Sequence, residues 1–308
     1  MSEENFCQYV SSYGIIKSCQ IRSMTPHYCR FINYNFDPTR ADMPDYTVIY
    51  MCNADMKSFY QVFRNIRRKF VLVSGDADET FPRDVLSDEQ FREMLESDKL
   101  VHWYAQNCVV SSPKITKMPI GLDYHSISRG GHEWGAKMSP MAQELQIDAI
   151  MRSAPPLCDR ELKCYSNFHF ALDIRKYASD RFDAMREIPQ EVIWYEPRKT
   201  VREECYKNQI KFAFVVSPHG NGYDCHRTWE SLVLGNIVIV KTSPLDELFA
   251  DLPVWIVKEW SEVTLPRMAE IRDEFAGRRF SFEKLTLKYW RERFYSHAAD
   301  AKEKNRTI

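Results

Sequence analysis

The sequence predicts a parallel α/β protein in two domains, and three observations carry that expectation. Short β-branched runs alternate with charged, amphipathic stretches, the pattern of strand–helix–strand units. The alternation occurs in two series, separated by a polar stretch at 138–159 that contains the Pro155-Pro156 pair. At 308 residues and 36.4 kDa, the chain is about twice the usual length of one domain.

In the first series, 46–51 reads as a strand, 56–68 as a helix, 69–74 as a strand and 87–97 as a helix opening on Ser-Asp-Glu. The second series has strands at 191–195, 211–216, 236–241 and 254–257. Helices are expected between them at 201–208, 225–234 and 244–250. Apolar and aromatic residues at helical spacing, Phe282, Leu285, Tyr289 and Phe294, predict a terminal helix. The expected domains are therefore 1–152 and 153–280, with a helix over 281–308 packing back on the first.

Composition narrows the function. The 42 basic residues balance 43 acidic ones, and 44% of the chain is hydrophobic, which excludes a disordered chain and a bulk polyanion-binding surface. No nucleic-acid partner is expected. The longest apolar runs are strand-sized, so no membrane span is expected either. The start of the chain is acidic and lacks the profile of a secretory leader. Nine scattered cysteines without CxxC spacing favour reduced thiols over a disulfide framework or structural zinc. A soluble protein of the cytoplasm or another reducing compartment is the expectation.

Glycine is scarce, ten in the chain, so the positions of glycines at strand ends are informative. Gly220 and Gly222 lie in Ser217-Pro-His-Gly-Asn-Gly-Tyr-Asp-Cys-His-Arg-Thr-Trp-Glu230, between a strand and a helix. Free N–H groups at such a helix start suit a phosphate, and Ser217, His219, Gly220, Asn221, Gly222 and Asp224 would surround it. Arg227 would add charge-assisted contacts to a diphosphate, and Glu230, three residues on, would accept from ribose hydroxyls. An ordinary turn capped at Asp224, with a solvent-facing Arg/Glu pair, reads the same way. The third glycine of the dinucleotide fingerprint is missing.

Gly75 lies in Val73-Ser-Gly-Asp-Ala-Asp78, which places Asp76 and Asp78 beyond a strand end. They are candidates for a general base, for an Asp-x-Asp metal pair, or for turn-capping aspartates. Near Gly121, the residues His102, Trp103, Asn107, Asp123 and His125 crowd a short span and are candidates for the acceptor side of a cleft. His102 and His125 are too far apart for a local zinc motif, and no metal site is assigned.

The stretch from Phe212 to Glu230, continued by Ser231-Leu-Val-Leu-Gly-Asn-Ile-Val-Ile-Val240, resembles the C-terminal half of exostosin-like glycosyltransferases. The shared pattern is an apolar strand, Ser-Pro-x-Gly, an Arg, a Glu three residues later and a Gly-x-Ile strand. Val238 stands where that family has proline. The resemblance implies the GT-B fold, two Rossmann-like domains facing a central cleft with a C-terminal helix crossing back. It implies a glycosyltransferase taking a UDP-sugar (UDP-xylose, UDP-galactose or UDP-glucuronate) to a hydroxyl of a glycan or glycoconjugate, inverting and metal-independent. Asn167, Arg175 and Arg198 join Arg227 and Glu230 on its donor side, and Asp76 or Asp78 is its base. The alternatives are a metal-dependent GT-A enzyme using Asp76-Ala-Asp78 and a nucleotide-sugar-binding protein without transfer activity.

Overall fold

The computed structural model describes residues 3–24, 34–130, 133–170 and 176–306. The chain divides into two compact units, one of Ser2–Ile120 with Thr286–Ile308, the other of Gly121–Leu285. The division falls at 120/121 rather than at 152. Residues 138–153, read as linker, instead contain a 14-residue helix, Pro140–Ser153. Ser139 accepts the amide of Ala142, and Pro140 occupies the first turn, where a missing N–H costs nothing.

The first unit opens with helix α1 (Ser12–Ser18), capped by the Ser11 hydroxyl, which accepts from the Gly14 amide. It continues through β1 (Thr47–Cys52), α2 (Met56–Phe63), β2 (Phe70–Gly75), α3 (Asp88–Glu96), β3 (Leu100–Gln106) and β4 (Ile115–Met118). The four strands form one parallel sheet in the order β1-β2-β3-β4. Helix α2 buries Met56, Phe59, Tyr60 and Phe63, one apolar stripe at helical spacing. It ends before the expected residue 68, because three-residue turns tighten at Asn65 and Ile66. Helix α3 starts at a reciprocal capping box between Ser87 and Gln90.

Strand β3 sends alternate residues to opposite faces. Trp103 and Ala105 join the core with Phe59, Phe70 and Phe81. His102 and Tyr104 meet the terminal helix α10 (Leu287–Arg306), which packs on β1, β2 and β3. Trp290 and Phe294 are its buried anchors, and Tyr104 donates to the Arg293 carbonyl at 2.8 Å.

The second unit contains α4 (His125–Ser128), α5 (Pro140–Ser153), β5 (Glu161–Ser166), α6 (Ser179–Glu187), β6 (Ile193–Tyr195), α7 (Arg202–Gln209), β7 (Phe212–Val216), α8 (His226–Val233), β8 (Ile237–Lys241), β9 (Val254–Val257) and α9 (Leu265–Ala276). Its five strands are parallel in the order β6-β5-β7-β8-β9. The chain steps outward from β5 to β6, then returns to the other side of β5 for β7. That reversal is a topological switch point, and crevices in doubly wound sheets open beyond the strand ends there. Two parallel sheets with their helices are consistent with a Rossmann-like α/β class. The helix expected at 244–250 is a single 3-10 turn, Asp246–Phe249, because Asp246 folds back onto Thr242 and Ser243. Among the described residues, no helix is long and apolar enough to cross a membrane.

Phe294 is fully buried and meets Tyr104 edge-on at 4.7 Å. Phe294→Ala should destabilise the first unit by about 3–5 kcal/mol, read as a lower urea midpoint at unchanged slope. A loss below about 1 kcal/mol would show that α10 is not an integral part of that core.

Candidate nucleotide site

The switch point lies between the ends of β5 and β7. Beyond β7 the chain makes the turn 217–225 into α8, whose N-cap is Cys225. Most polar groups in this turn are satisfied internally. The Ser217 amide donates to Ile239, and its hydroxyl pairs with Thr228 at 2.9 Å. The Gly220 amide donates to the Gly222 carbonyl at 3.0 Å. The His219 amide donates to Asp180 at 2.9 Å, while its ring Nδ1 faces the Tyr223 carbonyl at 3.0 Å. Asp224 is buried and accepts from the Trp229 indole at 2.8 Å. Ser217, His219 and Asp224 therefore hold the turn's shape rather than present free groups. Asn221 is half-buried in the same turn. Neither Gly220 nor Gly222 has the left-handed φ that demands glycine; Gly121 and Gly235 do.

Arg227 is the exception in this neighbourhood. Its Nε donates to Asn167 Oδ1 at 2.9 Å across the switch point, and its guanidinium stands 5.8 Å from the Phe168 ring. Its Nη1 is buried with no hydrogen-bond partner among the described residues. Burial, and then the positive charge of Arg181, lower its pKa to about 10, so it stays cationic at neutral pH. Arg181, buried on α6, donates to the carbonyls of His219 at 3.2 Å and His169 at 2.6 Å. Two guanidiniums held by carbonyl and amide oxygens, without an ion-paired carboxylate among the described residues, make an environment that an anion would stabilise.

Asn167 also lines a cavity of about 540 Å³, within the range of small-molecule sites. Phe168, Phe170, Trp134 and Tyr195 give it aromatic walls, and Arg198 and Lys199 reach its rim. Ser166 Oγ and Tyr195 Oη are buried beside it without a partner among the described residues. Burial, and then Cys164, push the Tyr195 hydroxyl up to about 12, so it remains a donor. Arg175 lies outside the described residues.

Glu230 is on α8 as expected, and its carboxylate accepts the Asp123 amide at 3.3 Å. Asp123 pairs with Arg202 at 2.7 Å, accepts the Ser126 amide at 3.0 Å, and lies 3.1 Å from His125 Nδ1. His226 Nδ1 is 2.7 Å from the Gly121 carbonyl. Asp123, His125 and His226 each bring one ligand-capable atom within 4.8 Å of the others. Asp123 and His125 thus belong to the second unit, apart from the other three residues expected on an acceptor face.

Those three are structural. His102 is buried on β3, bonded to Thr116 at 2.8 Å and stacked on His297 at 3.8 Å. Trp103 is in the core, its indole donating to Ser74 at 3.0 Å. Asn107 sits at a left-handed φ of 50° and ties down the Ala77 carbonyl at 3.1 Å. Strand alternation and the α10 packing turn this chemistry-bearing run into core. Asp76 follows β2 with φ 54°, its amide held by Gln106 at 2.8 Å, while Asp78 is exposed. A Cβ on Gly75 would stand 2.7 Å from Gln106 Oε1, so that glycine makes room for a side chain of the fold.

Sequence reasoning passed over Arg181, Arg202 and His226. His226 alone left a signal, four residues before Glu230 and so on the same side of the helix. No family model matches the chain, and a comparison with curated proteins finds no match.

His102 provides a pH test of its placement. Burial first, then the charges of His297 and Arg293, lower its pKa from the ordinary 6.5 to about 3. Below the unfolded value the unfolded chain takes a proton that the native one refuses, so this contribution to stability is lost as pH falls from about 6.5 toward 3. His102→Gln should flatten the stability profile between pH 7 and 5, by up to about 1.4 kcal/mol per pH unit. Superimposable urea midpoints for the two proteins across that range would contradict the burial.

Proposed function

We propose that the chain is a glycosyltransferase of the GT-B type that takes a sugar from a UDP-sugar to a hydroxyl of a glycan or glycoconjugate. The observation that carries this reading is Arg227: a cationic side chain at the switch point, fixed by Asn167, with a buried N–H that lacks a partner among the described residues. The diphosphate would accept from Arg227 and sit at the start of α8, where the helix dipole favours negative charge. The nucleoside would occupy the aromatic cavity beside Asn167, with Ser166, Tyr195 and Arg198 as its polar contacts. UDP-xylose, UDP-galactose and UDP-glucuronate are the candidate donors.

In the transfer, Asp76 or Asp78 takes the proton of the acceptor hydroxyl, and the resulting oxygen attacks the anomeric carbon. The bond from that carbon to the phosphate oxygen breaks, and UDP leaves with the electron pair. Inversion follows from attack opposite the leaving group. Arg227 and the α8 N-terminus stabilise the departing charge, so the transfer needs no metal ion. The position of Asp76 and Asp78 beyond the end of a parallel strand supports their role as base.

UDP should raise the thermal midpoint of the protein, and calorimetry should give Arg227→Ala an affinity for UDP lower by about 10–100-fold. Equal binding by both proteins would move the donor site elsewhere. With a UDP-sugar donor, Asp76→Ala or Asp78→Ala should slow UDP release by about 10²–10⁴-fold while leaving UDP affinity unchanged. Stable UDP-sugar binding with no UDP release by the unaltered protein would instead mark a binding protein.

A further inference from the structure

A second polar cluster, distinct from Arg227 and its cavity, surrounds the first residue of α8. Its parts are prepared as ligands usually are. The Gly121 carbonyl only accepts, so the 2.7 Å contact places the hydrogen of His226 on Nδ1 and leaves Nε2 as a lone pair. Gly121 itself has φ 72°, a conformation that turns its carbonyl to this use at little cost only for glycine. Asp123 is fixed on both oxygens. Arg202 donates to Oδ2 at 2.7 Å, and the Ser126 amide donates to Oδ1 at 3.0 Å. An ionised carboxylate and an imidazole of fixed tautomer are the states that metal binding requires.

We propose that Asp123, His125 and His226 bind a divalent transition-metal ion, Zn²⁺ foremost, as a two-histidine, one-carboxylate set with a remaining position open to solvent. Imidazole ligands disfavour Mg²⁺ and Ca²⁺, which take oxygens, and the absence of thiolate from the trio separates it from closed structural zinc sites. Zinc bonds of about 2.0–2.2 Å place tetrahedral ligand atoms about 3.3 Å apart. Asp123 Oδ1 and His125 Nδ1, at 3.1 Å, already match that edge. The other separations in the trio are at most 4.8 Å and close by small side-chain movements, His125 being 22% exposed.

The local charge balance agrees. Asp123 and Glu230 bring two negative charges, and Arg202 one positive, so a dication enters a site of net charge about −1. Arg202 engages the far oxygen of Asp123 and leaves the near one facing the imidazoles, the arrangement of a supporting partner rather than a competitor. The bound ion would tie the segment Gly121–His125 to the first turn of α8. The site needs no nucleotide and stands independently of the proposed transfer.

The test uses the full chain, stripped with EDTA and dialysed against buffered Zn²⁺ or Co²⁺. The unaltered protein should retain an equimolar amount of zinc by mass spectrometry. With Co²⁺ it should show visible ligand-field bands without thiolate-to-cobalt charge transfer. His226→Ala and His125→Asn should each weaken zinc binding by about 100-fold or more, with circular dichroism unchanged. Should His226→Ala fail to fold, His125→Asn, at a half-buried position, carries the comparison. Zinc retention no greater than in His125→Asn would overturn the site. So would a thiolate band, which would place the ion on cysteines instead.

Discussion

A guanidinium removed from water without a carboxylate beside it costs several kcal/mol, and much of the second unit can be understood from where it places one. Arg227 is held by a single neutral oxygen, that of Asn167, and faces a second buried arginine whose own donors go to two backbone carbonyls. The turn that presents it is rigid. Asp180 accepts the His219 amide at 2.9 Å and the Trp260 indole at 2.7 Å, so one carboxylate braces the loop against the 3-10 turn Trp260–Glu262. Asp224 then locks Trp229 under α8. The turn's polar groups are satisfied internally, while Arg227, Ser166 and Tyr195 each keep a buried polar atom without a partner among the described residues.

The strand order makes this placement available. Because β7 returns to the far side of β5, the connections leaving the two strands diverge, and Asn167 and the turn 217–225 can meet only above that gap. Strand β7 is fully buried along its length, and α8 buries Trp229, Leu232 and Val233 against the sheet. Each such side chain contributes about 1.5–3 kcal/mol, enough to hold an unfavourable charge at the helix start. The cavity beside Asn167 follows from the same geometry, since Ser166 and Tyr195 pair at the ends of β5 and β6 and turn their hydroxyls toward it.

Six strands were legible because burial on both faces selects continuous β-branched runs, the one expected at 254–257 being Val254–Val257; β3, β4 and β5 were not, because polar and charged residues interrupt their runs. Helix α5 was not, because its buried residues, Gln143, Ile147 and Ile150, form a thin stripe and its opening proline resembles a breaker. Arg227 stood out from the local strand–turn–helix stretch, whereas Asn167 entered only through the family resemblance, and their contact at 2.9 Å joins segments sixty residues apart. The run containing His102, Trp103 and Asn107 misled because chemical character was read without strand alternation, and because its neighbour α10 lies almost two hundred residues away, as in the Tyr104–Arg293 bond. Arg202 and Gly121 matter only through long-range contacts, Arg202 with Asp123 and Gly121 with His226, which no spacing rule anticipates.

The first turn of α8 serves two purposes through helical geometry alone. Successive residues are turned about 100° apart, so His226 and Arg227 look in different directions although they adjoin. His226 and Glu230, four apart, share a side, and both engage the segment that begins at Gly121. Arg227 faces β5 and Asn167 instead. Whatever fixes His226 therefore fixes the helix start from which Arg227 projects, without touching the same ligand. The Arg and Glu three residues apart are thus split between two neighbourhoods: Arg227 engages Asn167, and Glu230 the segment that steadies the helix presenting it.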